Sequence, residues 1–133
     1  MSYAILVVDD SSIVRTMVKK SIAMAGLPVA KVFEAANGKE ALEILGQNWI
    51  DIVFADLNMP EMNGTELVEK MSQDSMLVST PVVIVSSEQS QAKIDELKAK
   101  GIRAYIKKPF RPEGFRDVVT EVLGPAQAKG GQP

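Results

Sequence analysis

Reactive side chains follow four apolar runs of the chain, each just beyond the point where the run ends. The runs are short, partly β-branched and bounded by turn-forming residues, which is the pattern of a buried strand. The residues that follow them are Asp9, Asp10, Asp56, Ser86 and Lys108. Three carboxylates, a hydroxyl and an ammonium group are therefore predicted to lie at strand ends.

These side chains are predicted to meet, because strands this apolar indicate a parallel sheet whose carboxyl ends share one edge. Three carboxylates stay ionised together at low cost only where a cation neutralises them. The chain contains no His and no Cys, so a metal there must have oxygen ligands, and Mg²⁺ fits best. Beside Mg²⁺ and Lys108, Asp56 can attack phosphorus to form an aspartyl phosphate, with Ser86 donating a hydrogen bond to the phosphoryl group.

The elements that must carry these residues alternate between strand and helix five times. Each strand is followed by apolar residues at helical spacing, and Ser11 or Ser12, Asn37 and Asn63 are candidate N-caps. Strands are predicted at 4–8, 29–35, 52–55, 82–85 and 104–106, and helices at 12–25, from 37 past 45, from 63 past 71, at about 90–100 and at 112–123. This alternation predicts an α/β domain with a parallel sheet covered by helices on both faces, the second strand at its edge and the fourth helix the most polar.

Length and composition limit the alternatives. With 133 residues and 46% hydrophobic content, the chain fits one domain, predicted at 1–123, followed by a disordered tail or linker stub at 124–133. The net charge of −2 gives no electrostatic case for binding to nucleic acid.

No apolar run approaches the ~20 residues of a spanning helix and no basic region precedes the first run, so we predict no membrane insertion, no signal peptide and a cytoplasmic location. Trp49, in the loop before the third strand, is predicted to be a packing residue.

Taken together and in this order, the motifs resemble the receiver domain of bacterial two-component response regulators, in its single-domain, CheY-like form. Asp9-Asp10 matches the acidic pair of that family, and Asp56-Leu57-Asn58-Met59-Pro60 with Met62-Asn63-Gly64 matches the loop around its phosphorylated aspartate. Ser86 stands at its Thr/Ser position, Tyr105 at its aromatic switch and Lys108-Pro109 at its Lys-Pro pair. The matching residues span 9 to 110, and the strand-helix pattern extends to 123.

The resemblance implies a flavodoxin-like, doubly wound five-stranded parallel sheet of order 2-1-3-4-5 with five helices. It implies Mg²⁺ bound by Asp10, Asp56 and the backbone carbonyl of Asn58, with Asp9 assisting through water. It also implies that Asp56 is the phosphoacceptor and that Lys108 contacts the phosphoryl group, next to a Lys-Pro bond that is often cis. Ser86 and Tyr105 are then the switch residues that move on phosphorylation.

The implied partners are proteins. A sensor histidine kinase or a histidine phosphotransfer protein supplies the phosphoryl group, since this chain has no His. A target protein binds the face made by the fourth helix, the fifth strand and the fifth helix, and the chain is expected to be a monomer. Beyond self-catalysed phosphoryl transfer and dephosphorylation, no enzymatic activity is predicted.

Chemotaxis-type signalling is the favoured pathway, and three alternatives stay open: a phosphorelay intermediate, a receiver fragment of a longer regulator, and a pseudo-receiver that binds partners without phosphorylation. Two other classes fit the sequence poorly. A phosphatase of the haloacid dehalogenase type needs a second Asp where this chain has Asn58, and an FMN carrier needs a Ser/Thr/Gly-rich loop where it has Asp9-Asp10.

Overall fold

A computed structural model of the chain describes residues 2–124. Strands and helices alternate along it without exception. They are β1 (Tyr3–Val8), α1 (Ser12–Met24), β2 (Val29–Ala35), α2 (Gly38–Gln47), β3 (Ile52–Ala55), α3 (Gly64–Ser72), β4 (Val82–Ser86), α4 (Gln91–Ala99), β5 (Ala104–Lys107) and α5 (Pro112–Leu123). The predicted elements are all present, and the ends that were predicted agree to within one residue.

The five strands form one sheet in the order β2-β1-β3-β4-β5, and every pairing between neighbours is parallel. The predicted fold class and strand order are confirmed, and β2 lies at an edge as expected. In the register between β1 and β3, Val8 pairs with Ala55. The residues that follow these two strands, Asp9 and Asp56, therefore leave the sheet side by side.

Apolar side chains form a core on each face of the sheet. One core packs α2, α3 and α4 against the sheet through residues such as Leu45, Leu67 and Leu97. The other packs α1 and α5 through Ile22 and Phe115, and it includes an edge-to-face contact between the rings of Phe54 and Phe115 with centroids 5.1 Å apart. Because β1, β3 and β4 are buried on both faces, the carboxyl ends of these strands are where polar side chains can gather.

Helix N-termini are capped largely as predicted. The Ser11 side chain accepts a hydrogen bond from the Val14 amide, which selects Ser11 over Ser12 as the cap of α1. Asn63 and Glu66 form a complete capping box at the start of α3. At α2, Asn37 caps the helix, but the Glu40 carboxylate accepts its hydrogen bond from the Ala36 amide instead of the cap residue.

Trp49 contradicts its prediction as a packing residue, since it is 82% exposed. Its indole N–H donates to Asp51 Oδ1 at 3.0 Å, and Asp51 Oδ2 accepts from the Ala4 amide. A side chain fixed by a polar contact in this way needs no burial.

Within residues 2–124, none of the helices has the length and apolar character to span a bilayer. The predicted tail lies, from residue 125 onwards, outside the described residues.

Candidate functional site

Three carboxylates converge where β1 and β3 end. Asp9, Asp10 and Asp56 each place a carboxylate oxygen within 4.8 Å of the others. Asp9 is 7% exposed at its side chain and Asp56 14%, whereas Asp10 is open to solvent. The Asp56 amide donates to the Val8 carbonyl at 2.9 Å, which extends the pairing of the two strands to their last residues. The structure thus brings together the predicted acidic residues.

Lys108 brings a positive charge to these carboxylates from the end of β5. Its Nζ lies 3.5 Å from Asp9 Oδ2 and 3.6 Å from Asp56 Oδ1. Its amide donates to the Ser86 carbonyl at 2.9 Å, which positions the backbone of Lys108 beside the end of β4. The bond between Lys108 and Pro109 is cis. One ammonium group therefore lies within 3.6 Å of the Asp9 and Asp56 carboxylates, and the Asp10 carboxylate is close to both.

The Asp56 carboxyl is in an environment that opposes its ionisation. Burial raises its pKa, Lys108 lowers it, and the neighbouring Asp9 raises it again, with a net upward direction. The protein alone thus offsets only part of the cost of a charged Asp56. A hard cation with oxygen ligands would complete the neutralisation, so the donor set of this cluster fits Mg²⁺.

The loop after Asp56 turns back sharply on itself. The Gly64 amide donates to the Leu57 carbonyl at 2.9 Å, and a Cβ built on Gly64 would lie 2.5 Å from the Asp56 carbonyl oxygen. Only glycine permits so close an approach of two backbone segments. Asn58 lies in this loop with its side chain exposed, and its role as a metal ligand stays a prediction.

Ser86 and Tyr105 both contact Glu88, in the segment that joins β4 to α4. Ser86 is buried, and its Oγ accepts a hydrogen bond from the Glu88 amide at 3.2 Å. The Tyr105 hydroxyl donates to the Glu88 carbonyl at 2.8 Å, and burial raises the pKa of this tyrosine. The structure therefore links the two predicted switch residues through one shared segment.

Arg15 contacts this site through the Asp9 carbonyl, and the sequence did not reveal this contact. From the first turns of α1, its Nη1 donates to the Asp9 carbonyl at 2.6 Å. The signal available in the sequence was a basic residue in the first predicted helix, shortly after the acidic pair. Such a residue is common on exposed helix surfaces, so its spacing alone did not distinguish it.

The profile of the family described as "Response regulator receiver domain" matches residues 5–120 of this chain. The chain belongs to the response regulator receiver family. It is 35% identical over 127 residues to the "Chemotaxis protein CheY homolog" of Campylobacter jejuni, covering 95% of this chain and 96% of that protein. It is 37% identical over 121 residues to "Chemotaxis protein CheY1" of Helicobacter pylori, covering 90% and 96%.

Solved receiver structures agree with the fold. The chemotaxis response regulator CheY4 of Vibrio cholerae superposes with a TM-score of 0.82 at 35% identity, covering 92% of this chain and all of that one. A putative response regulator from Chloroflexus aurantiacus superposes with a TM-score of 0.84 at 25% identity, covering 94% of this chain. The predicted resemblance to CheY-like receivers is thereby confirmed.

Proposed function

We propose that this receiver is a phosphoacceptor switch and that Asp56 receives the phosphoryl group. The observation that carries the proposal is the site itself: a largely buried Asp56 with Lys108 3.6 Å away and two further carboxylates within 4.8 Å. Such a site combines a nucleophile, a counter-charge for the phosphoryl oxygens and a set of metal ligands.

The oxygen ligands for Mg²⁺ would be Asp10, Asp56 and the carbonyl of Asn58, with Asp9 assisting through water. When bound, Mg²⁺ supplies charge neutralisation for the phosphoryl oxygens. This assignment agrees with the raised pKa of Asp56, because a bound cation stabilises the ionised carboxylate that must act as nucleophile.

The chain's own residues would carry out the transfer as follows. A carboxylate oxygen of Asp56 attacks the phosphorus of a phosphohistidine on the partner, an O–P bond forms, and the N–P bond breaks with its electrons returning to the imidazole. Lys108 offsets charge on the phosphoryl oxygens. The Ser86 hydroxyl accepts from the Glu88 amide, which leaves its proton to donate to the phosphoryl group. Later attack by water on the phosphorus would break the O–P bond to Asp56, release inorganic phosphate and restore the carboxylate.

The switch would act through Glu88. Movement of the Ser86 hydroxyl toward a phosphoryl group would shift its hydrogen bond from the Glu88 amide, and Tyr105 holds the carbonyl of the same residue. Movement of this segment would change the surface of α4, β5 and α5, which we assign to the target protein. The donor would be a sensor histidine kinase or a histidine phosphotransfer protein.

The pathway we favour is chemotaxis-type signalling, because relatives that match over nearly their full length carry chemotaxis names. In this role the chain signals and has no metabolic substrate. A monomeric state and a cytoplasmic location remain predictions of the same proposal.

Incubation with acetyl phosphate and Mg²⁺, followed by intact mass measurement, tests the proposal. The wild type should gain about 80 Da, the mass of one phosphoryl group, and Asp56→Asn should gain nothing. The matched control is Asp117→Asn on the exposed face of α5, which should be modified like the wild type. No adduct on the wild type, or the same adduct on Asp56→Asn, would overturn the assignment.

A further inference from the structure

Arg15 connects the acidic loop to the edge strand β2. Its guanidinium donates to two acceptors at once, with Nη1 2.6 Å from the Asp9 carbonyl oxygen and Nε 2.9 Å from Glu34 Oε1. The Arg15 side chain is only 17% exposed. A planar fork that meets two acceptors has a defined orientation, which a flexible surface arginine lacks.

Glu34 is itself held in place. Lys19 Nζ lies 2.7 Å from its second oxygen, and hydrogen bonds from Lys19 and Arg15 lower the pKa of this carboxyl. Glu34 therefore stays ionised at neutral pH and forms a steady anchor for Arg15. The chain of contacts runs from Lys19 on α1 through Glu34 on β2 to Arg15 and the loop that begins with Asp9.

The Asp9 carbonyl belongs to the peptide unit that joins Asp9 to Asp10, and that unit is planar. Holding its oxygen therefore fixes the direction in which the chain enters Asp10. Asp9 has other restraints as well: its amide donates to the Ala35 carbonyl at 3.0 Å, and its Oδ1 accepts from the Ser11 amide at 2.9 Å. Asp10 is exposed, so its carboxylate depends on the backbone for its position.

We propose that Arg15 is a positioning residue for the metal site: by holding the Asp9 carbonyl against Glu34, it orients the peptide that presents the Asp10 carboxylate. The inference rests on the proposed function, because it assumes that the acidic cluster binds Mg²⁺. Removal of a residue behind a ligand typically weakens metal binding by about ten- to a hundredfold, so Arg15→Ala should raise the Mg²⁺ dissociation constant roughly tenfold.

The direction in which Mg²⁺ affinity changes on loss of Arg15 distinguishes a positioning role from a purely electrostatic one. A cation beside the cluster repels Mg²⁺, so loss of Arg15 would tighten binding if only its charge mattered. Arg15→Lys sharpens the comparison, since lysine keeps the charge but has no planar fork to reach both acceptors. Under the proposal, Arg15→Lys also weakens Mg²⁺ binding.

The experiment is titration calorimetry of the full chain with MgCl₂ at constant ionic strength and without a phosphoryl donor. The variants are Arg15→Ala, Arg15→Lys and Glu34→Ala, which leaves Arg15 in place but removes its anchor. We expect Arg15→Ala to raise the Mg²⁺ dissociation constant roughly tenfold, and Arg15→Lys and Glu34→Ala to raise it severalfold. Arg116→Ala on α5 is the matched arginine control and should bind like the wild type.

Unchanged or tighter Mg²⁺ binding by Arg15→Ala, with a wild type that binds, overturns this inference alone. A wild type that fails to bind Mg²⁺ overturns the proposed metal site and the inference with it. If Arg15→Ala does not fold, Arg15→Lys decides because it keeps the charge, and binding equal to that of the wild type counts against the proposal.

Discussion

Asp56 shows at the scale of one residue how a site can oppose the stability of its own fold. Burial and Asp9 raise its pKa, and Lys108 offsets this only in part. A carboxyl whose pKa is higher in the folded than in the unfolded state favours folding when protonated and disfavours it when ionised. The stabilising contribution is therefore present at low pH and lost as pH rises through the pKa of the folded state.

Asp56→Asn should accordingly be more stable than the wild type at pH 7 in EDTA. We expect a melting temperature higher by about 3–6 °C, the shift that about 1 kcal/mol produces in a domain of this size. The difference should shrink as pH falls, because the wild-type carboxyl then becomes protonated. Thermal unfolding from pH 7 to pH 4 measures it, with Asp117→Asn as control, and a less stable Asp56→Asn at pH 7 would contradict the argument.

Gly64 carries a second constraint at this scale, which is steric. A Cβ at this position would lie 2.5 Å from the backbone oxygen of Asp56, and backbone cannot move aside cheaply. Gly64→Ala should lower the free energy of unfolding by about 2 kcal/mol. Gly114→Ala is the control, since a Cβ there meets nothing within 4 Å in helix α5, and it should raise stability by about 0.5 kcal/mol. Urea unfolding measures both, and equal effects would contradict the steric explanation.

Among the elements, α4 is held by few apolar contacts. Its buried residues are Ile94 and Leu97, and its N-cap Ser90 also donates its amide to Glu88 Oε2 at 3.0 Å. In α5, by contrast, Phe115 and Val119 are buried and Val118, Val122 and Leu123 pack against the same core. The Glu88 segment thus connects the least anchored helix to Ser86 and Tyr105.

Hydrogen exchange should therefore show α4 opening more readily than α5. The amides of α4 should exchange with an opening free energy below that of global unfolding, because little apolar surface is exposed when this helix detaches. Phosphorylation at Asp56 should change protection in α4 more than in α1, which lies on the other face of the sheet. Equal protection of α4 and α5 before phosphorylation would show that α4 is as firmly held as the rest.

At the scale of the whole molecule, the proposed metal binding would be coupled to folding. The proposed ligands follow β1 and β3, so they assemble only when the sheet has formed. A ligand at ten times its dissociation constant stabilises the native state by about 1.4 kcal/mol. The site should therefore make the stability of the entire domain depend on Mg²⁺.

MgCl₂ should raise the melting temperature of the wild type by several degrees relative to EDTA at matched ionic strength. Asp10→Asn should abolish most of this increase, because it removes a proposed ligand from the exposed side of the cluster. An increase of the same size in Asp10→Asn would show that Mg²⁺ acts elsewhere on the protein.

Much of this molecule was predictable because the signals are local. The apolar runs of β1, β3 and β4, the caps at Asn37 and Asn63, and the carboxylates at strand ends depend on neighbours in the chain. Trp49 was mispredicted because its apolar character does not reveal that its ring stays exposed while its indole N–H donates to Asp51. The contact between Arg15 and Asp9 joins a helix to a loop through the fold, and no periodicity reports it.

Residue types and strand patterning can be read along the chain, so the available chemical groups and their delivery to one end of a parallel sheet were predictable without a structure. Which atoms meet became clear from the folded chain alone: Lys108 lies between Asp9 and Asp56, the backbone of Gly64 lies against that of Asp56, and Arg15 contacts the Asp9 carbonyl. Contacts of 2.6 to 3.6 Å depend on how the packed layers and the loop backbones lie against each other, which no local pattern specifies. Local sequence preferences determine the helices and strands, and packing determines the interatomic distances between them.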